Sequence, residues 1–326
     1  MKDANKTDMM QIKKLLSRCK PYLRWLIFGA TLFFIASTLH QHWNEVKALR
    51  ITGSGWGYLA FSLGITLLAH TWTGWVWSWI LRELGQPAGG VWGILVYLKT
   101  NIAKYLPGNV WHFYGRIMAT KEAGFRVEAA TLSVLLEPLL MVAAALLIAL
   151  INAQQNWAVQ VLCLIGVLLA IHPKVLNPLL RLAGRLKGAA KKPEASEASE
   201  PPKPSTPLQV KRYPLLPLLG EIGFVGLRGL GFLLTLQTLQ SVELGQIPAV
   251  LSTFSIAWVL GLVIPGAPGG TGVFEATAIA LLERTFPVGS ILASVALYRL
   301  ISILAEAAGA GLALGVAKLN FNDAER

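Results

Sequence analysis

The chain has 326 residues, 54% of them hydrophobic and 14% charged, with a formal net charge of +12 and a mean hydropathy of +0.54. Soluble domains carry about 25% charged residues, so there is too little charge here to coat a water-facing surface of this size, and the apolar content also excludes intrinsic disorder. The 31 glycines follow no three-residue period, which excludes a collagen-like fibre and leaves an integral membrane protein.

Seven basic residues precede or enter the first apolar run: Lys2, Lys6, Lys13, Lys14, Arg18, Lys20 and Arg24. Nine more lie between Lys174 and Arg212. This is the distribution of cytoplasmic charge flanking membrane spans, and it makes nucleic acid a poor partner. Cys19 and Cys163 are far apart in unlike settings and imply no disulfide framework. The leading tail is too long, and the sequence after it too uniformly apolar, for a simple cleaved signal; a retained anchor is expected.

A bilayer core about 30 Å thick takes roughly 20 apolar helical residues. Residues 1–22 form a basic tail, and the first predicted span is Leu23–Leu39. Trp56–Ile80 comes next, and its Trp72, Trp75, Trp77 and Trp79 read as an interfacial aromatic belt. Trp92–Leu106 and Val110–Thr120 are each short and meet at Pro107-Gly108, as a re-entrant hairpin or two tilted spans would. Val127–Ile151, interrupted only by Glu137-Pro138, and the shorter Trp157–Ile171 complete a first membrane half over 23–172.

Residues 173–213 are a basic cytoplasmic linker in which KKPEASEASEPPKPSTP predicts disorder. The second membrane half, 214–317, holds the span Leu215–Leu239, then Ile247–Ile264 and Val273–Leu282 on either side of PGAPGGTG. It ends with the long segment Val288–Val316 and a tail over 318–326. The expected fold is all-α and polytopic, with six full spans and two Pro-Gly-broken pairs. Basic residues near the span ends place both termini in the cytoplasm. Pro265-Gly266 lies 158 residues after Pro107-Gly108, in a similar helix, broken pair, helix unit. Units 56–151 and 215–316 would be inverted repeats, an architecture that sets binding sites at broken helices.

The strongest local signal is PGAPGGTGVFEA, Pro265–Ala276. Its helix N-terminus could hold an anionic headgroup. Glu275 in the first turn would repel that anion, and could instead bind a cation, relay a proton or cap the helix. No Gly-Lys-Ser/Thr comes after it, so this is no nucleotide loop. The first break offers Lys99, Asn101, Lys104, Asn109, His112 and Arg116. Lysines at helix ends often reach for headgroups, whereas a guanidinium such as Arg116 makes bidentate contacts with phosphate. His112 alone indicates no metal site, and no cofactor motif is visible. Charges within spans cost about 2.5–3.5 kcal/mol each by insertion scales; here they are Glu137, Glu221, Arg228, Arg299 and Glu306. Glu221/Arg228 and Arg299/Glu306 are both seven apart in opposite order, which suggests cross-pairing between adjacent spans.

PGAPGGTGVFEA, LYRLISILAEAAG and NIAKYLPGNVWHFYGR together give the chain a family likeness. It resembles the lysylphosphatidylglycerol synthase transmembrane-region family of flippase-like membrane proteins, over nearly the whole chain outside the tail and linker. The matching positions are Asn101, Leu106-Pro107-Gly108, Gly115-Arg116, Pro268-Gly269-Gly270, Gly272, Glu275 and Arg299. Bifunctional members of that family carry a soluble C-terminal aminoacyl-transferase domain, and no such domain is expected after Asn320 here. The resemblance therefore implies lipid handling without synthase activity.

The expectation is a protein of the cytoplasmic (inner) membrane that flips a polar-headed phospholipid or polyprenyl-phosphate-linked lipid, without a cofactor. Arg116, Arg228 and Arg299 would attract phosphate while Glu137, Glu221, Glu275 and Glu306 balance charge or carry protons. The alternatives are an integral-membrane transferase acting on a lipid phosphate and a structural or regulatory partner of an envelope complex. A homodimer is the default expectation for assembly.

Overall fold

The structure is a computed structural model that describes residues 50–106, 110–152, 157–178, 210–264, 270 and 272–324, with Ser37, His40, Gln41, Trp43 and Asn44 before them. The anticipated first span, Pro107-Gly108, Asn109, most of PGAPGGTG (Gly269 included) and the linker's low-complexity run lie outside the described residues. Every regular element among those described is helical: α1 Gly53–Glu83, α2 Gly90–Asn101, α3 Trp111–Glu122, α4 Val127–Ala149, α5 Trp157–Ile171, α6 Leu215–Leu239, α7 Ile247–Val263, α8 Val273–Leu282 and α9 Val288–Ala324. This is an all-α polytopic membrane protein.

Helix ends obey local chemistry. α1 stops in a Schellman motif, with Gln86 N–H reaching Leu81 O and Gly85 N–H reaching Arg82 O. α3 ends the same way through Phe125 to Thr120 and Gly124 to Lys121. α2 tightens into a 3-10 turn over Ile102–Tyr105 before the Pro-Gly break. α4 runs straight through Pro138, although a proline has no N–H to give the preceding turn.

Among the described residues five helices are long and apolar enough to cross a bilayer: Gly53–Glu83, Val127–Asn152, Leu215–Leu239, Leu244–Val263 and Val288–Leu319. The fourth differs from the sequence reading, which began at Ile247 and treated that stretch as one limb of a broken pair. A 3-10 turn over Leu244–Gln246 lengthens it, with Glu243 N–H bonded to Gln246 Oε1 at 3.0 Å. α2 and α3, at 12 residues each, rise only about 18 Å.

Helix contacts repeat between the two halves. α1–α2, α2–α3 and α3–α4 pack in sequence, as do α6–α7, α7–α8 and α8–α9. Across the halves, α1 and α2 pack on α9 while α6 and α7 pack on α4, and α1 lies along α6. Ser62 Oγ bonds Gly231 O at 2.7 Å, Trp72 Nε1 bonds Gly220 O at 2.7 Å and Thr73 meets Glu221. Rising numbers in α1 therefore meet falling numbers in α6, so the pair is antiparallel. Small residues allow this approach: a Cβ on Gly220 would stand 2.6 Å from Val76, and one on Gly231 2.8 Å from Thr66. Close backbone packing of this kind replaces the hydrophobic drive that lipid cannot supply.

The main core joins α4, α6 and α7 with parts of α1, α8 and α9. A smaller one holds Trp77, Leu81, Ala88 and Tyr97. Trp77 is thus not a belt residue: it is fully buried, stacks on Trp92 at 5.6 Å and donates to Ser133 Oγ at 3.1 Å. Trp72, Trp75 and Trp79 form an edge-to-face group of their own. Where the linker leaves and returns, Asn177 bonds both backbone groups of Val210.

Candidate functional site: buried ion clusters at the helix breaks

Three ionic groups are set where broken helices meet long ones. The first joins α3, α4, α6 and α1. Arg116 NH1 donates to Glu137 Oε2, and both side chains are 2% exposed. The guanidinium lies 3.7 Å from the Tyr97 ring centroid and 5.9 Å from that of Trp77. Glu221 is fully buried and interacts electrostatically with both Arg116 and Glu137. Its nearest donor is the Thr73 hydroxyl, 3.4 Å from Oε1. Arg116 Nε, Glu137 Oε1 and Glu221 Oε2 are buried without hydrogen-bond partners. This cluster holds one cation and two carboxyl groups.

The second group has the opposite balance. Lys104 Nζ donates to Glu306 Oε1 at 2.5 Å, and His70 Nε2 stands 3.2 Å from the same oxygen. Arg228 NH1 lies 3.3 Å from His70 Nε2 and donates to Ser302 Oγ at 3.2 Å. Its guanidinium sits 5.0 Å from the Tyr298 ring centroid, while Tyr298 Oη donates to Arg228 O at 2.8 Å. Arg228 forms no ion pair with a carboxylate among the described residues. Arg228 Nε, His70 Nδ1 and Glu306 Oε2 are buried and unpartnered. Two cations, one carboxylate and an imidazole thus meet near the middle of α1 and α6.

The third group closes the second helix break. Arg299 Nε and NH2 donate to the two oxygens of Glu275 at 2.7 and 3.2 Å. Glu275 Oε2 also accepts from Gly272 N–H at 2.6 Å. Of the three roles open to Glu275, it takes the cap. The α8 N-terminus that could have met an outside anion is thereby met by the chain's own carboxylate. Gly270, at φ 68, brings the break against α7: a Cβ there would stand 2.6 Å from Gly261 Cα.

The expected cross-pairing of Glu221/Arg228 with Arg299/Glu306 does not form. α6 and α9 do pack together, but they are antiparallel, since Arg228 meets Tyr298 while Gln240 meets Ser290. Antiparallel packing undoes the opposite charge order and sets like charges level. Arg299 therefore pairs with Glu275 on α8 and Glu306 with Lys104 and His70, while Glu221 and Arg228 form no ion pair among the described residues.

Of the other residues picked out from sequence, Asn101 and His112 are buried, and His112 packs on Phe113 with ring centroids 3.8 Å apart. Lys99 faces outward. Among the described residues no group of three metal-ligating side chains occurs. Sequence reading passed over His70, Thr73, Tyr97, Tyr298 and Ser302. For His70 the signal was present: an imidazole in the middle of an apolar span needs a partner as much as a carboxylate does. No protein-family model matches the chain, and no curated protein matches it.

Proposed function

We propose that the protein moves a lipid with a phosphate-bearing headgroup between the leaflets of the cytoplasmic membrane, using the Lys104–Glu306–His70–Arg228 cluster as its headgroup site. The observation that carries this reading is Arg228: a guanidinium in the middle of a span, with no carboxylate of its own among the described residues. Ionisable groups at that depth are expensive and mark transport paths. A phosphate entering between α1, α6 and α9 would complete the excess positive charge and take up the unpartnered Arg228 Nε. The resemblance to the lysylphosphatidylglycerol synthase transmembrane-region family points the same way. So does the mirrored packing of two antiparallel units, which supports an inverted repeat with its site near mid-membrane.

In this reading the described arrangement is a closed state. Both termini and the 173–213 linker face the cytoplasm in it. Arg116–Glu137 and Glu275–Arg299 hold each second limb against the last helix of its unit, with the charges exchanged between the two.

One observation favours a second reading, a structural or regulatory partner of an envelope complex. Two shallow apolar grooves run along the outer faces of α1, beside Phe61 and Leu68, and of α9, beside Leu312 and Val316. Neither touches the ionic clusters. Imaging the full chain in phosphatidylglycerol nanodiscs separates the two. Translocation expects a particle class with headgroup density within hydrogen-bonding reach of Arg228 or Lys104. If the cluster is closed and lipid-free in every class, the structural reading replaces it.

A further inference from the structure

The Arg116 cluster has one carboxyl group more than its guanidinium can serve. Glu137 takes Arg116 NH1, whereas Glu221, fully buried, has only the 3.4 Å contact from Thr73 Oγ1. The groups that face Glu221 are Thr73 from α1, Tyr97 from α2, Arg116 from α3 and Glu137 from α4. α7, also packed on α6, carries no charged residue. On α9, Arg299 is engaged by Glu275, and Glu306 by Lys104 and His70. Among the described residues, no second cation therefore reaches Glu221. An ionised carboxylate sealed from water without a partner costs several kcal/mol, and a proton on Oε2 removes that charge. A metal cation would need several oxygen ligands, and beyond the two carboxyl groups the contacts of Glu221 add only the Thr73 hydroxyl.

We propose that Glu221 is a proton-binding site whose occupancy governs the separation of α6 from its neighbours. With the proton on Oε2, the O–H bond is intact and Glu137 keeps Arg116 undivided. On release, that bond breaks, its electron pair stays on Oε2 and the proton passes to water. Two carboxylates then stand beside one guanidinium, and their repulsion drives α6 away from α4. Glu221 and Arg228 are seven residues apart on one face of α6, and Thr73 and His70 are three apart on α1. The helix that senses the proton, α6, thus also carries Arg228 of the basic cluster. The transport purpose rests on the translocation reading; proton binding at Glu221 does not.

Difference infrared spectroscopy of the full-length protein in phosphatidylglycerol–phosphatidylcholine vesicles, titrated with acid and base, tests the site. The expected result is a protonated-carboxyl C=O band that disappears on alkalinisation, is absent from Glu221→Gln and is displaced in Glu221→Asp. No band in the wild type, or an unchanged band in both variants, overturns the proposal. So does loss of the band on adding sodium at constant pH, which would mark a metal-cation site. If Glu221→Gln does not fold, an unshifted band in Glu221→Asp is the overturning result. In the same vesicles under a pH gradient, movement of a fluorescent phosphatidylglycerol is expected to respond to the gradient in the wild type and to lose that response in Glu221→Gln. A gradient-independent wild-type rate overturns the coupling. Absence of any lipid movement beside a normal band overturns the translocation reading and leaves the proton site standing.

Discussion

Arg116 and Glu137 depend on each other more than the fold depends on the pair. Removing one member of a buried pair leaves the other charge sealed and uncompensated, at a cost of about 3–5 kcal/mol, whereas replacing both with apolar groups of similar volume is often neutral. Arg116→Met alone should therefore lower stability by about that amount in detergent thermal unfolding, and Arg116→Met combined with Glu137→Leu should recover most of it. Equal losses in the single and double variants would show that the pair itself stabilises the bundle. These residues were legible in the sequence because charge within an apolar run is conspicuous. Their partners were not: periodicity tells which face of a helix a residue occupies, and not which helix lies opposite. Trp77 shows the same limit, since a tryptophan near a span end reads as a belt residue until Ser133 and Trp92 are found beside it.

The elements were mostly legible, and the misreadings have local causes. The helix ahead of Pro107 tightens into a 3-10 turn and is over by Leu106, whose backbone is extended. The stretch before PGAPGGTG proved longer than its apolar core because Glu243 and Gln246 add a capped turn to it. The charge order in α6 and α9 suggested pairing, and their relative direction cancelled it, a property no single helix contains. The second break rests on Gly270, where both the positive φ and the approach to Gly261 exclude a side chain. Gly270→Ala should cost more than the roughly 1–2 kcal/mol of a left-handed non-glycine residue, because the methyl group also collides with backbone. Gly226→Ala, in α6 with nothing within 4 Å of its Cβ position, should instead be neutral or gain up to about 1 kcal/mol. Thermal unfolding of the two variants side by side checks the contrast, and equal behaviour would remove the close contact from the account.

At the scale of the molecule, +12 on a chain that is 14% charged divides into two kinds of charge. Sixteen of the 29 basic residues stand in the leading tail and around the linker, at or beyond the ends of the apolar runs. The few within the bundle are gathered into three groups, two of which, Arg116–Glu137 and Glu275–Arg299, tie a short helix to the long one after it; spacing in the sequence marked these charges but not their partners. Of the three, only the Lys104–Glu306–His70–Arg228 cluster combines excess positive charge with a guanidinium that has no carboxylate partner among the described residues. A leaflet-resolved assay with fluorescent phosphatidylglycerol in proteoliposomes, comparing the wild type with Arg228→Gln, tests this claim most directly. The account expects the wild type to exchange lipid between leaflets faster than protein-free vesicles, and Arg228→Gln to lose about tenfold or more, the equivalent of one charge-assisted contact of about 1.4 kcal/mol or greater. A wild-type rate no faster than empty vesicles, or an Arg228→Gln rate equal to that of the wild type, would contradict it.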